Sequence, residues 1–111
     1  MARLQPLFAA AVFAASLSAL AGERCSAIDG NTLQCGRERV RVEGLRSPAI
    51  DQPGGREARD RLQRRIRSGS LVVERKGRDK YGRTLGRAYV DGNRITQLDL
   101  TAQAAKRAAR R

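Results

Sequence analysis

Residues 40–50, VRVEGLRSPAI, run an apolar-alternating strand into a Pro-containing turn that presents Arg46, Ser47 and Ala49. Turns at strand ends are favoured places for chemistry, and here a basic residue stands where a cation ligand would be expected. The rest of the chain limits what such a site could do. It holds no His, which excludes Ser-His hydrolysis, His-dependent nucleases and His-ligated zinc. Its two cysteines, Cys25 and Cys35, are too few for a structural zinc site. Any catalysis must run on carboxylates, Arg, Lys or Tyr.

The charge points to the class of partner. The sequence carries 23 basic and 11 acidic residues, a net of +12, and only Lys76, Lys80 and Lys106 among the basic residues are not Arg. This sign favours anionic partners: nucleic acid, an anionic membrane surface or an acidic polymer. Arg matches phosphate with a two-pronged fork where Lys offers a point charge, which leans toward phosphate. A general use of Arg for solubility would produce the same composition.

The elements that must position these residues begin after a leader. Residues 1–21 place Arg3 before an apolar stretch from Leu7 to Leu20 and end in Ala19-Leu20-Ala21, the layout of a secretory signal cleaved before Gly22. A membrane anchor is the competing reading, but the run is shorter than the ~20 apolar residues that span a bilayer. The expectation is export to a bacterial periplasm or to the outside, with no membrane span in the mature chain. Residues 22–111 then make one small domain. In an oxidising compartment Cys25 and Cys35, flanking a turn, are expected to form a disulfide worth roughly 2 to 3 kcal/mol.

Two short strands and a third, VRVEGL, are expected from Cys25 to about Gly44. Asp29-Gly30-Asn31 is the first turn, where Gly and Asn tolerate positive φ, and Gly36-Arg37 is the second. Alternation breaks near Gly44, and SPAIDQPGG is loop. In REARDRLQRRIRSG, Ala58, Leu62 and Ile66 recur every four residues and Gly69 stops the pattern, which predicts one amphipathic helix. Its six Arg between positions 56 and 67 are taken as a solvated face. LVVE predicts a fourth strand, KGRDKYGR a polar excursion, and LGRAYV a fifth strand closed by Asp91-Gly92-Asn93. A last helix is expected over about Thr96 to Arg110. The order β-β-β-α-β-β plus a C-terminal helix suits an α+β chain built on a five-stranded OB barrel.

Three stretches, IDGNTL, RVRVEGLRSP and DKYGRTLGRAYVDG, together resemble the thermonuclease family, the metal-dependent nucleases typified by staphylococcal nuclease. The resemblance runs from about Cys25 to Ala105 and implies the same OB barrel. In the family, two Asp hold calcium, a Glu after the turn's Pro activates water, and two Arg grip phosphate. By that resemblance Asn31 and Arg46 stand at the two Asp positions, Ala49 stands at the Glu, and Arg41 and Arg83 match the phosphate pair. Lys80 and Tyr81 match positions that contact nucleotide phosphate.

A divergent, short member with a degraded metal site is thus expected, holding no metal and no other cofactor. Calcium needs several oxygen ligands, commonly carboxylates. A guanidinium such as Arg46 about 5 Å from a divalent ion costs roughly 6 to 7 kcal/mol at an effective dielectric of about 20. Asp29 and Asp51 are nearby substitutes at non-matching positions. Loss of the general base removes a further ~10²- to 10⁴-fold of rate. The phosphate grip survives, and Arg46 adds attraction.

The leading expectation is a protein that binds the DNA or RNA phosphodiester backbone with nuclease activity lost or weak. A working endonuclease with a rearranged site is the alternative, and a basic envelope or protein-interaction module is a third.

Overall fold

Alternation of apolar and polar residues drives the first half of the chain into a meander. In the computed structural model, which describes residues 22–110, β1 (Ser26–Asp29), β2 (Thr32–Cys35) and β3 (Glu38–Val42) pair antiparallel in succession. The expected leader, residues 1–21, lies outside the described residues. Ala27, Leu33, Val40 and Val42 turn inward and are buried. Cys25 and Cys35 form a disulfide with their Cα atoms 4.2 Å apart, one step beyond the Ser26–Gln34 pair of the ladder. They pack against the edge of the core.

Gly30 answers to packing and not, as expected, to positive φ. Neither Gly30 nor Asn31 has a positive φ. A Cβ on Gly30 would lie 2.4 Å from Ser47 Cβ and 2.6 Å from Ala58 Cβ, so any side chain there would push the β1–β2 turn off the loop and helix beneath it. Asn31 is held by its backbone N–H, which donates to Asp29 Oδ1 at 2.9 Å, an Asx turn.

After the loop, α1 (Gly55–Ile66) forms on the predicted spacing, with Ala58, Leu62 and Ile66 buried. It ends three residues before Gly69. Its first residue has to be Gly, because a Cβ there would fall 1.9 Å from the Ala49 carbonyl oxygen. β4 (Leu71–Arg78) and β5 (Thr84–Val90) pair antiparallel, with a bulge between Arg75 and Gly77. β4 thus runs four residues further than LVVE, because the bulge absorbs Lys76 and lets Gly77 and Arg78 pair with Leu85 and Thr84, leaving only residues 79–83 as loop. A two-residue strand, β6 (Asn93–Arg94), folds back on β5, giving six strands among the described residues in place of the five expected. Finally α2 (Gln97–Ala109) starts at Thr96, whose hydroxyl accepts from the Asp99 N–H, and packs on α1 through the Arg65–Asp99 ion pair.

The sheet order is β1-β2-β3-β5-β4, with β3 and β5 parallel and β6 beside β5. This is the α+β arrangement of an OB-like domain, but the sheet is not closed: β1 and β4 are its free ends. Glu23 bridges them instead of a ladder, its N–H donating to the Leu71 carbonyl at 2.8 Å and its carboxylate accepting the Val73 N–H at 2.7 Å. Arg75 ties Glu23 to Glu38, and Glu38 also accepts from the Thr84 hydroxyl at 2.7 Å. The outer edge of β1 is covered similarly, with the Gln63 amide oxygen accepting the Ala27 N–H. Side chains satisfying backbone donors at sheet edges discourage pairing with another chain.

Candidate functional site

The parallel β3–β5 pair determines where the two matched Arg residues stand. Arg41 is in register with Leu85, so it lies beside the start of β5, two residues past Arg83. Arg41 is half-buried and donates from Nη1 to the Val42 carbonyl at 2.6 Å. Burial first, and then the Arg83 guanidinium, push Arg41 below its usual pKa; Arg46 adds to this, while Asp29 and Asp79 oppose it. An Arg stays charged through the physiological range. Three cations and two acids therefore share one field around Arg41.

The loop before β5 is organised by Asp79, which no motif of the sequence singles out. Its Oδ1 accepts the N–H of Tyr81 and of Arg83, each at 2.9 Å, and its Oδ2 accepts Arg83 Nε at 2.7 Å. Its own N–H donates to the Arg83 carbonyl. The Asp79 side chain is only 14% exposed. Burial raises its pKa, yet these bonds from Arg83 and Tyr81 outweigh that and hold it below the usual value. With its backbone donors turned inward onto one carboxylate, the loop presents its side chains outward. Tyr81 is 72% exposed, with Lys80 Nζ at 5.3 Å and Arg83 Cζ at 5.6 Å from its ring centroid, both within cation–π range. The signal for Asp79 was the Asp-x-Tyr-x-Arg spacing, which lets one short acid reach the donors two and four residues on.

The corner carrying Asn31, Arg46 and Ala49 is built differently. Asn31 Oδ1 accepts the Thr32 hydroxyl at 2.8 Å, and the Asn31 carbonyl accepts the Val42 N–H at 2.9 Å. Arg46 is exposed, with its backbone N–H donating to Gln97 Oε1. Beside them Ser47 Oγ is buried and, among the described residues, has no hydrogen-bond partner; it lies against the face of Gly30. Ala49 is exposed and its carbonyl packs on Gly55. Asp51, weighed as a substitute acid, faces a separate hollow of about 410 Å³ between Ile50 and Glu57. Asp29 is near Arg41 but already holds the Asn31 N–H. Among the described residues, no three His, Cys, Asp or Glu side chains converge as a metal ligand set would.

Arg41 thus lies within electrostatic reach of both Arg83 and Arg46, and Lys80 and Arg83 flank the Tyr81 ring. Ala49 sits against the start of α1. Among the described residues no helix is long and apolar enough to cross a membrane.

A family model described as "Staphylococcal nuclease homologue" matches residues 39–109. The chain is 33% identical over 63 residues, 57% of its length, to the probable staphylococcal-like nuclease CAN1 of Oryza sativa subsp. japonica. It is 34% identical over 62 residues, 56% of its length, to the staphylococcal-like nuclease CAN1 of Arabidopsis thaliana. In both cases it covers 19% of the relative, so the chain spans about a fifth of the length of these curated proteins.

Proposed function

The chain belongs to the staphylococcal nuclease family, and from that premise we propose that it binds nucleic-acid phosphodiesters with its hydrolytic centre lost or nearly so. The observation that carries this reading is the contrast at the β3–β5 seam. Arg41 stands beside the start of β5, in register with Leu85 two residues past Arg83, while the corner at positions 31, 46 and 49 offers no carboxylate.

Calcium, implied by the family, does not fit the residues present. Asn31 Oδ1 is engaged by a hydroxyl, Arg46 is a cation, and Ala49 has no donor atom. A hard divalent ion needs several oxygens, and an amide, one Arg and an Ala do not supply them. What this chain's residues can do is hold a phosphodiester: guanidinium groups make forked, charge-assisted bonds to phosphate, and Tyr81 with its flanking cations offers a stacking surface for a base. The leader composition of residues 1–21 and the Cys25–Cys35 disulfide support an exported protein, since disulfides persist in oxidising compartments.

The test is incubation of the pure full chain with single-stranded DNA, duplex DNA and RNA, in calcium, in magnesium and in chelator. Binding is expected to persist in chelator, with a slope of log affinity against log salt of about −3 if four phosphates of a single strand are neutralised. Chelator-sensitive cleavage that Arg41→Ala abolishes would replace this reading with that of a rearranged endonuclease. Binding indifferent to salt would remove it altogether.

A further inference from the structure

The Asp79–Arg83 loop shares a groove with two cations outside the Arg41–Arg83 pair. The β2–β3 turn carries Arg37, and β3 carries Arg39 on the same side as Arg41, away from the buried Val40 and Val42. Arg37 and Arg39 line an open groove of about 510 Å³ with Tyr81, Gly82 and Arg83. A neighbouring hollow of about 370 Å³ shares Arg37, Arg39 and Gly82 and adds Arg78. The one carboxylate in it, Glu38, is already bonded to Arg75 and to the Thr84 hydroxyl, so it does little to neutralise the groove. Arg37, Arg39 and Arg78 are exposed and, among the described residues, make no ion pair.

An isolated Arg on a strand is ordinarily a solvated residue. Here the cations continue from the Arg41–Arg83 pair along the outer side of β3 into one groove, and an exposed aromatic ring stands in its wall. Phosphates and carboxylates both satisfy guanidinium forks. The ring discriminates between them, because it adds a face for a base and adds nothing for an acidic peptide. It also selects single strands, whose bases are free to stack on protein. In OB folds generally, the face of the second and third strands and the loop between the fourth and fifth are where oligonucleotides lie.

Resting on the reading above, we propose that Arg37 and Arg39 form an added phosphate track along which a single strand continues beyond the Arg41–Arg83 pair, with Tyr81 as the stacking platform between the two. The ligand is then a single-stranded polymer, and a dinucleotide fills only part of the site.

The experiment measures affinity of the full chain for a thymidine dinucleotide and for a single-stranded oligothymidylate of about eight nucleotides, within the span of one OB fold, over a series of salt concentrations. Arg37→Ala/Arg39→Ala is expected to weaken the oligomer about tenfold at low salt and to make its salt slope shallower by about 1.4, at about 0.7 per phosphate. The dinucleotide should weaken by under about twofold. Both side chains are exposed, and an unchanged melting temperature checks that the variant is folded. Wild-type affinity and slope for the oligomer in this variant would overturn the track. Polyglutamate competing as well as oligothymidylate would overturn its assignment to nucleic acid. Wild-type protein that binds neither dinucleotide nor oligomer would remove the underlying reading, and is distinguishable from the first outcome.

Discussion

The corner at Asn31 and Arg46 and the loop Asp79–Arg83 both lie within the electrostatic reach of Arg41, yet they use their polar groups in opposite ways. In the corner, Asn31 is consumed internally: its amide oxygen, N–H and carbonyl are taken by Thr32, Asp29 and Val42. In the loop, one carboxylate collects the inward donors, which leaves Lys80 and Tyr81 free to face solvent. A segment can be internally saturated and still offer chemistry outside, provided a single acid does the holding. Where the residues satisfy each other in turn, the segment becomes a structural joint.

Four changes would break or sharpen that contrast. The largest effect is expected at the joint, where Gly30→Val should destabilise the fold by about 3 kcal/mol or more, as overpacking against Ser47 and Ala58 has no room to relax. Urea denaturation measures it; a loss below about 1 kcal/mol would mean the corner is looser than its contacts imply.

Next, Arg41→Ala/Arg83→Ala should lower single-strand affinity about 100-fold at low salt, near the value of losing two charge-assisted bonds. Fluorescence anisotropy reads this directly, and a loss under about threefold would place binding elsewhere on the surface. Asp79→Ala comes third. It keeps every outward side chain but releases the Tyr81 and Arg83 amides, so an affinity loss of about tenfold from lost preorganisation should accompany faster hydrogen exchange at those two amides. Faster exchange with unchanged affinity would show that the loop's order is irrelevant to binding.

The smallest effect concerns the root of the loop, where Glu38 holds the Thr84 hydroxyl. Hydrogen bonds from Arg75, first, and from Thr84 hold Glu38 down from the usual 4.5 to about 2. A carboxylate lowered by folding stabilises the native state where it is ionised, so its contribution is complete above about pH 4.5 and fades as pH falls through about 2. Glu38→Gln should flatten the acid side of the stability profile in that window; identical profiles for variant and wild type would remove Glu38 from the accounting.

Much of this architecture can be read from residue order. The meander, the Cys25–Cys35 pairing, the four-residue recurrence of Ala58, Leu62 and Ile66, and the helix beginning at Thr96 all follow from local periodicity and capping. The features that escaped depend on distance in space. The role of Gly30 comes from Ser47 and Ala58, which no turn rule contains. β6 is too short to carry a period. The open sheet end depends on Glu23 standing in for a strand neighbour, a long-range substitution without a local signature. At the site, the resemblance supplied the Arg pair and the replaced acids, whereas Asp79 needed loop geometry and the Arg37–Arg39 groove needed the β3–β5 juxtaposition.

That juxtaposition has a temporal consequence. β1, β2 and β3 are linked by tight turns, but Val40 meets Thr84 only after α1 and β4 have been laid between them. Tight hairpins close in microseconds, while pairing across a long intervening segment is the slower event. The proposed Arg41–Arg83 phosphate pair is split across that late contact. In a refolding time course, oligonucleotide capture should accordingly lag the first sheet signal and mark the moment β5 docks, making the ligand a stopwatch for the final step of assembly.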